Sequence, residues 1–211
     1  MSKPKAIAGA WIILACFLAV FAGRALWGPS GRLPMDKRLT ARSKGDPKAS
    51  VWVVEYFDYQ CGACKAASAW LDEYIAQHPG RLYLQERFHP LQHHPFGLRS
   101  AVFAECAARQ GKFWPLHDKL FESQDTWSQS KETEALLRQY AVEAGADADK
   151  LDACLADPSA EQDVVKERDE GLALGITSTP TSFVNGKMLV GVQRLKEDIA
   201  ARFGDPEEKK P

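Results

Sequence analysis

The chain has 211 residues, 45% apolar and 26% charged, and a net charge of −1. That length holds one domain with a sizeable core plus an appendage, and the composition excludes a disordered or fibrous chain. A dedicated nucleic-acid binder would carry a strong basic excess, so no nucleic-acid partner is expected.

Residues 6–23 carry no charged side chain. A helix of that length reaches about 27 Å, close to the roughly 30 Å hydrocarbon core of a bilayer. Residues 1–27 are therefore expected to form a transmembrane anchor, with Lys3 and Lys5 at its head and Trp11, Trp27 and Arg24 toward the interfaces. A cleaved signal peptide, cut after Val20-Phe21-Ala22, is the competing reading. Cys16 reads as an inert membrane residue, because the apolar run continues through Phe21 where a lipidated cysteine would open a polar chain. Flanking charge does not fix orientation: Arg24, Arg32, Lys37 and Arg38 after the span outnumber Lys3 and Lys5 before it. Residues 28–48, with Pro29, Gly31, Pro34, Gly45 and Pro47, read as a solvated linker, and residues 49–211 as the folded domain.

The stretch from Val51 to Phe57 is β-branched and aromatic, and apolar on both alternating faces except at Glu55, which predicts a central strand covered on both sides. After Cys61-Gly62-Ala63-Cys64, the spacing of Ala67, Leu71, Tyr74 and Ile75 predicts a helix that Pro79-Gly80 ends. Residues 81–88 alternate as a second strand. Residues 93–175 then read as an all-helical block, with helices over 96–110, 113–123, 132–144, 147–155 and 159–174. Phe113, Trp114, Leu116, Leu120 and Phe121 are its expected core. Asn185-Gly186 between two short β-rich runs predicts a hairpin, and residues 192–203 a closing helix. Strand–helix–strand, helical block, hairpin–helix is an α/β layer with a helical insertion.

The chemistry rests on Cys61 and Cys64. At positions i and i+3 their Cα atoms come within disulfide range, and the unpaired N–H groups and partial positive charge of a helix start stabilise a thiolate. Cys61 would be the exposed, low-pKa nucleophile and Cys64 the buried resolving thiol, exchanging through a mixed disulfide. Half a zinc site and an inert structural bridge are the alternatives; no second pair at this spacing exists to complete a zinc site. His89, His93 and His94 at the end of the second strand are expected in a solvated loop, with a metal-ligand role as the alternative.

Residues 55–65, Glu-Tyr-Phe-Asp-Tyr-Gln-Cys-Gly-Ala-Cys-Lys, together with residues 175–187, Gly-Ile-Thr-Ser-Thr-Pro-Thr-Ser-Phe-Val-Asn-Gly-Lys, resemble the DsbA-type oxidases of the thioredoxin superfamily. The likeness covers about residues 45–203. It implies a thioredoxin fold with an inserted all-helical domain, and a cis peptide bond before Pro180, which would face the cysteine pair. It also implies that the Thr179 backbone and Pro180 bind an extended substrate peptide, and that a buried acid at Glu55 relays the proton of the second cysteine. The chain departs from the strong oxidases at Gly62-Ala63, where they have Pro-His, and at Ser178, where glycine is common. A Cys61 pKa below that of a free thiol but above that of the strongest oxidants is therefore expected.

Cys106 and Cys154, on two predicted helices of the block, are expected to form a structural disulfide; two buried free thiols are the alternative. The leading reading is a cell-envelope thiol–disulfide oxidoreductase with its domain outside the cytoplasm, needing no organic cofactor or metal. Exported cysteine-containing proteins would be its substrates and a membrane redox partner would recycle it; a monomer is expected. A reductase or isomerase is the alternative within the enzyme class. A metal-handling module using Cys61, Cys64 and the histidines is the alternative outside it.

Overall fold

A computed structural model describes residues 37–204. The predicted anchor and its competing signal-peptide reading, with Cys16, lie outside these residues. Among the described residues no helix is long and apolar enough to cross a membrane.

A 3-10 helix (Lys37–Arg42) leads into strands β1 (Ser43–Gly45) and β2 (Val51–Phe57), helix α1 (Gly62–Gln77) and strand β3 (Leu82–Phe88). Helices α2 (Gly97–Ala108), α3 (Phe113–Glu122), α4 (Gln124–Trp127), α5 (Thr133–Glu143), α6 (Ala148–Ala156) and α7 (Pro158–Ala173) follow, then β4 (Thr181–Val184), β5 (Lys187–Val190) and α8 (Val192–Phe203). The sheet order is β1-β3-β2-β4-β5. β2 and β3 are parallel, joined by α1; the other pairs are antiparallel. β2 is thus central, which explains its apolar composition on both faces.

Three apolar clusters fix the layers. Val51, Val53, Leu82 and Leu84 pack against Leu71 and Tyr74 of α1 and Leu195 and Ile199 of α8. On the opposite face Val54, Tyr56 and Phe183 pack with Ile176. The largest cluster runs from Phe57, Tyr59, Cys64 and Phe88 into α2, α3 and α5, with Phe113, Leu116, Leu120 and Trp127 buried. The helical block therefore packs against the end of the sheet that carries the cysteines.

The stretch read as a linker is a correction in its second half. Residues 37–45 are tied to the domain: Leu39 and Arg42 are buried, and β1 pairs with β3. Arg42 forms ion pairs with Glu167 of α7 and Glu105 of α2 and stacks over the Phe88 ring. A three-residue strand is too short to show a period, and its strand partners, Gln85, Leu84 and Tyr83, lie about 40 residues away, so nothing local marks it. Gly45 closes it at φ +94°, where an added Cβ would meet the Leu82 carbonyl oxygen at 2.3 Å. The short α4, too, has no counterpart among the predicted helices.

Cys106 of α2 and Cys154 of α6 form a disulfide across a sequence separation of 48. Cross-linking a loop of that length removes enough unfolded-chain entropy to stabilise by about 4 kcal/mol in the chain-entropy account. It staples the insertion to itself rather than to the sheet.

Candidate active site

The chain turns from β2 into α1 through residues 58–61, and one carboxylate holds that turn. Asp58, buried at 2% exposure, accepts from the Gln60 amide at 2.7 Å, the Leu91 amide at 2.7 Å and lies 2.8 Å from His94 Nδ1. The Gln60 side chain accepts from the Phe96 amide at 2.5 Å, and Gln124 Nε2 donates to the Tyr59 carbonyl at 2.6 Å. The turn is thereby fastened to the loop after β3 and to the helical block.

Cys61 is the N-cap of α1, with extended backbone; its carbonyl accepts from the Cys64 amide at 3.0 Å and the Lys65 amide at 3.2 Å. Cys61 is half-buried and Cys64 fully buried, and both are free thiols. Across from them the Thr179–Pro180 bond is cis. Cys61 Sγ lies 3.3 Å from the Thr179 carbonyl oxygen. The Thr179 hydroxyl is enclosed and has no partner at hydrogen-bond geometry.

The two thiols are driven apart in acidity. Cys61 is lowered from 9.0 to about 5, chiefly by a hydrogen bond from the Cys64 thiol; the Thr179 hydroxyl and the Cys64 and Ala63 backbone amides add to this against the cost of burial. Cys64 is pushed well above the ordinary thiol range, first by burial, then by its own bond to Cys61 and by the charges of Cys61 and Glu55. Glu55, 1% exposed, is raised from 4.5 to about 8 by burial, with the Cys61 and Asp72 charges next.

The structure thus brings Cys61, Cys64, Thr179 and Pro180 together, with Glu55 on the sheet beneath α1. Cys106 and Cys154 belong to the insertion. The histidines are a correction: His89 is buried beside Tyr56, and His94 is held by Asp58; only His93 is exposed. Among the described residues no group of three or more His, Cys, Asp and Glu side chains is placed to hold a metal ion.

Three contributors escaped the sequence reading. Asp58 looks like an ordinary turn residue, although its place three before Cys61 was a usable signal. Glu86 stands between Gln85 and Arg87 in β3, so a charge there is unremarkable until the register places it beside Glu55. His117 gives no local sign: it is buried behind α1, 2.9 Å from Ser68 Oγ and 3.2 Å from the Tyr59 hydroxyl, and burial holds it at about 3, hence neutral.

A family model described as "Thioredoxin" matches residues 37–199. The chain is 35% identical over 158 residues to a protein named Na(+)/H(+) antiporter NhaA from Herminiimonas arsenicoxydans, covering 75% of this chain and 24% of that protein. This chain therefore spans about a quarter of the length of the curated relatives it matches. Among solved structures it is similar to a thioredoxin-like oxidoreductase from Silicibacter pomeroyi DSS-3, at 25% identity and TM-score 0.66, covering 81% of this chain and 95% of that one. It is equally similar to oxidised BdbD from Bacillus subtilis, at 25% identity and TM-score 0.67, covering 81% and 96%.

Proposed function

Because the chain belongs to the thioredoxin family, as a DsbA-type thiol–disulfide oxidoreductase, we propose that Cys61 is its nucleophile, Cys64 its resolving thiol and Glu55 its proton relay, and that it introduces disulfides into exported proteins. The observation that carries this reading is the division of labour between the two thiols: one half-exposed and acidic, the other sealed and reluctant to ionise.

In the oxidising direction a substrate thiolate attacks Cys61 Sγ of the oxidised pair. The Cys61–Cys64 bond breaks, its electron pair stays on Cys64, and Cys64 takes a proton from Glu55. A second substrate thiolate then attacks the substrate sulfur of the mixed disulfide and expels Cys61 as thiolate. An extended substrate peptide pairs with the Thr179 backbone beside Pro180, which brings its sulfur to Cys61.

Magnitudes favour this direction. Against a free thiol, a pKa of about 5 raises the thiolate fraction at neutral pH roughly a hundredfold, but the accompanying loss of nucleophilicity is about sixtyfold. Attack by Cys61 therefore gains little. Departure of Cys61 as a leaving group gains throughout, and that is the step by which the enzyme is reduced and its substrate oxidised.

A place outside the cytoplasm, held by residues 1–27, remains part of the proposal. The antiporter relatives carry the matched stretch as about a quarter of their length, which supports a unit working beside a membrane. The exchange partners would be exported cysteine-containing proteins and a membrane redox protein. The reductase or isomerase reading draws on Gly62-Ala63, which offers no side-chain donor to Cys61. The reduction potential of the Cys61–Cys64 pair decides between them. A value near about −120 mV is expected for the oxidase, and a value near about −270 mV would overturn it.

A further inference from the structure

The proton that Cys64 exchanges with Glu55 needs a way to and from water, and the sheet supplies a second acid on that way. Glu86 of β3 stands in register beside Glu55 of β2. Adjoining in-register positions of neighbouring strands project to the same face. The rows on either side are apolar and buried: Val53 beside Leu84, and Phe57 beside Phe88. Val53 and Leu84 pack with Leu71 of α1, and Phe57 and Phe88 share a cluster with Cys64. The two carboxyl groups therefore lie side by side between apolar rows on the α1 face. Each residue is 1% exposed, and each keeps one enclosed oxygen with no hydrogen-bond partner.

Two carboxylates in such a place cannot both be ionised cheaply, so a shared proton is the favoured state. Other charged and titratable groups face the pair from every side. Cys61, Cys64 and Asp72 belong to the α1 region, Lys44 to β1 and Arg42 to the 3-10 helix; Tyr59 lies on the turn, and Asp118 of α3 lies by Lys44 and Asp72. Lys44 is opposite Leu84 in the β1–β3 register and so faces α1 as well, where it pairs with Asp72 at 2.5 Å. That ion pair, with side chains 27% and 33% exposed, is where the row meets water.

We propose that Glu86 is the outer station of the proton path, exchanging a proton with Glu55 on one side and with solvent at the Lys44–Asp72 pair on the other. The proposal rests on Cys64 being the resolving thiol. When a substrate thiolate breaks the Cys61–Cys64 bond, the electron pair is left on Cys64. Cys64 takes the pair's proton from Glu55, and Glu86 then takes up a proton from water and reloads the pair. Reoxidation runs the same transfers backward. One proton passes between solvent and Cys64, and Cys64 itself stays sealed. Burial, with the Glu55 charge second, raises Glu86 well above the ordinary carboxyl range, which keeps the pair loaded near neutrality. Glu86 acts through Glu55 and is a positioning residue.

The test is Glu86→Gln in the full chain, with stopped-flow exchange against dithiothreitol between about pH 5 and 9. The Cys64-dependent step is expected to slow about tenfold or more, and its pH profile to move down by about one unit, because Glu55 loses a like-charged neighbour. Alkylation of Cys61 is expected to keep the wild-type profile, and Glu86→Asp to restore most of the rate. An unchanged rate and profile in Glu86→Gln would overturn the proposal while leaving the exchange function standing. A wild-type protein that does not exchange, and whose Cys61 alkylates like an ordinary thiol, would overturn the function itself. Should Glu86→Gln fail to fold, the infrared spectrum of Glu55→Gln is decisive: a protonated carboxyl band that persists near neutral pH supports the proposal, and its absence overturns it.

Discussion

Cys61→Ser is expected to abolish disulfide exchange with a model dithiol to the uncatalysed background, whereas Cys64→Ser is expected to retain one half of the reaction and stall. The contrast follows from the geometry. Of the two thiols, Cys61 alone is both exposed enough to meet a substrate sulfur and acidic enough to leave as an anion. An alcohol at that position neither ionises near neutrality nor forms a mixed disulfide. In Cys64→Ser the Cys61 thiolate attacks a substrate disulfide and expels one of its sulfurs as thiolate; the mixed disulfide left on Cys61 has no internal thiol to resolve it, and should accumulate as a covalent species visible by mass spectrometry. Cys64→Ser also changes the strongest group that lowers Cys61, since a serine hydroxyl must replace the thiol as donor. A Cys64→Ser protein that accumulates no mixed disulfide with a substrate disulfide, or a Cys61→Ser protein that does, would break the assignment of roles.

Glu55→Gln is expected to have opposite effects on rate and stability. Replacing the acid by an amide of the same shape removes the proton carrier beside Cys64. General acid–base contributions of this kind are worth about 10²-fold or more, so the Cys64-dependent step should slow by roughly that factor. Stability should move the other way. The folded protein holds the Glu55 proton up to about pH 8, while in the unfolded chain the group ionises near 4.5. Across that window the folded state binds more protons, so this group's contribution to stability falls as pH rises, and is lost by the time pH passes the folded value. Glu55→Gln should flatten that fall and leave the protein more stable than wild type above about pH 8, by up to a few kcal/mol. Urea unfolding at several pH values reads this directly. A variant less stable than wild type at alkaline pH would show that Glu55 is paired rather than exposed to the cost of burial.

Much of the architecture was legible because it is written in period and punctuation. Val51–Phe57, the helical spacing after Cys64, and Asn185-Gly186 between β-rich runs each state a local structure that tertiary packing did not override. The strap formed by residues 37–45 was not legible. Its order comes from Arg42 reaching Glu167 and Lys44 reaching Asp72, contacts between residues 125 and 28 positions apart. Proline and glycine in that stretch read as a tether, while Gly45 in fact serves a close backbone approach.

The site divides in the same way. The spacing of Cys61 and Cys64 and the helix start between them could be read from the chain, and the backbone amides do act on Cys61. The largest single cause of its acidity is the Cys64 thiol, a side-chain geometry that the spacing permits but does not specify. His94 and His89 were grouped with His93 because they are neighbours in sequence. Strand alternation and the Asp58 carboxylate send them to separate surroundings. Glu55 stood out as a charge in an apolar strand. Glu86 did not, because its importance lies in the register of β2 against β3, which no single strand announces.

A pH titration of thiolate absorbance in the reduced protein, with Cys61→Ser subtracted to isolate the Cys61 signal, bears most directly on the account. A midpoint near about 5 is the predicted result. A midpoint at or above about 8.5, where an unassisted thiol ionises, would contradict it.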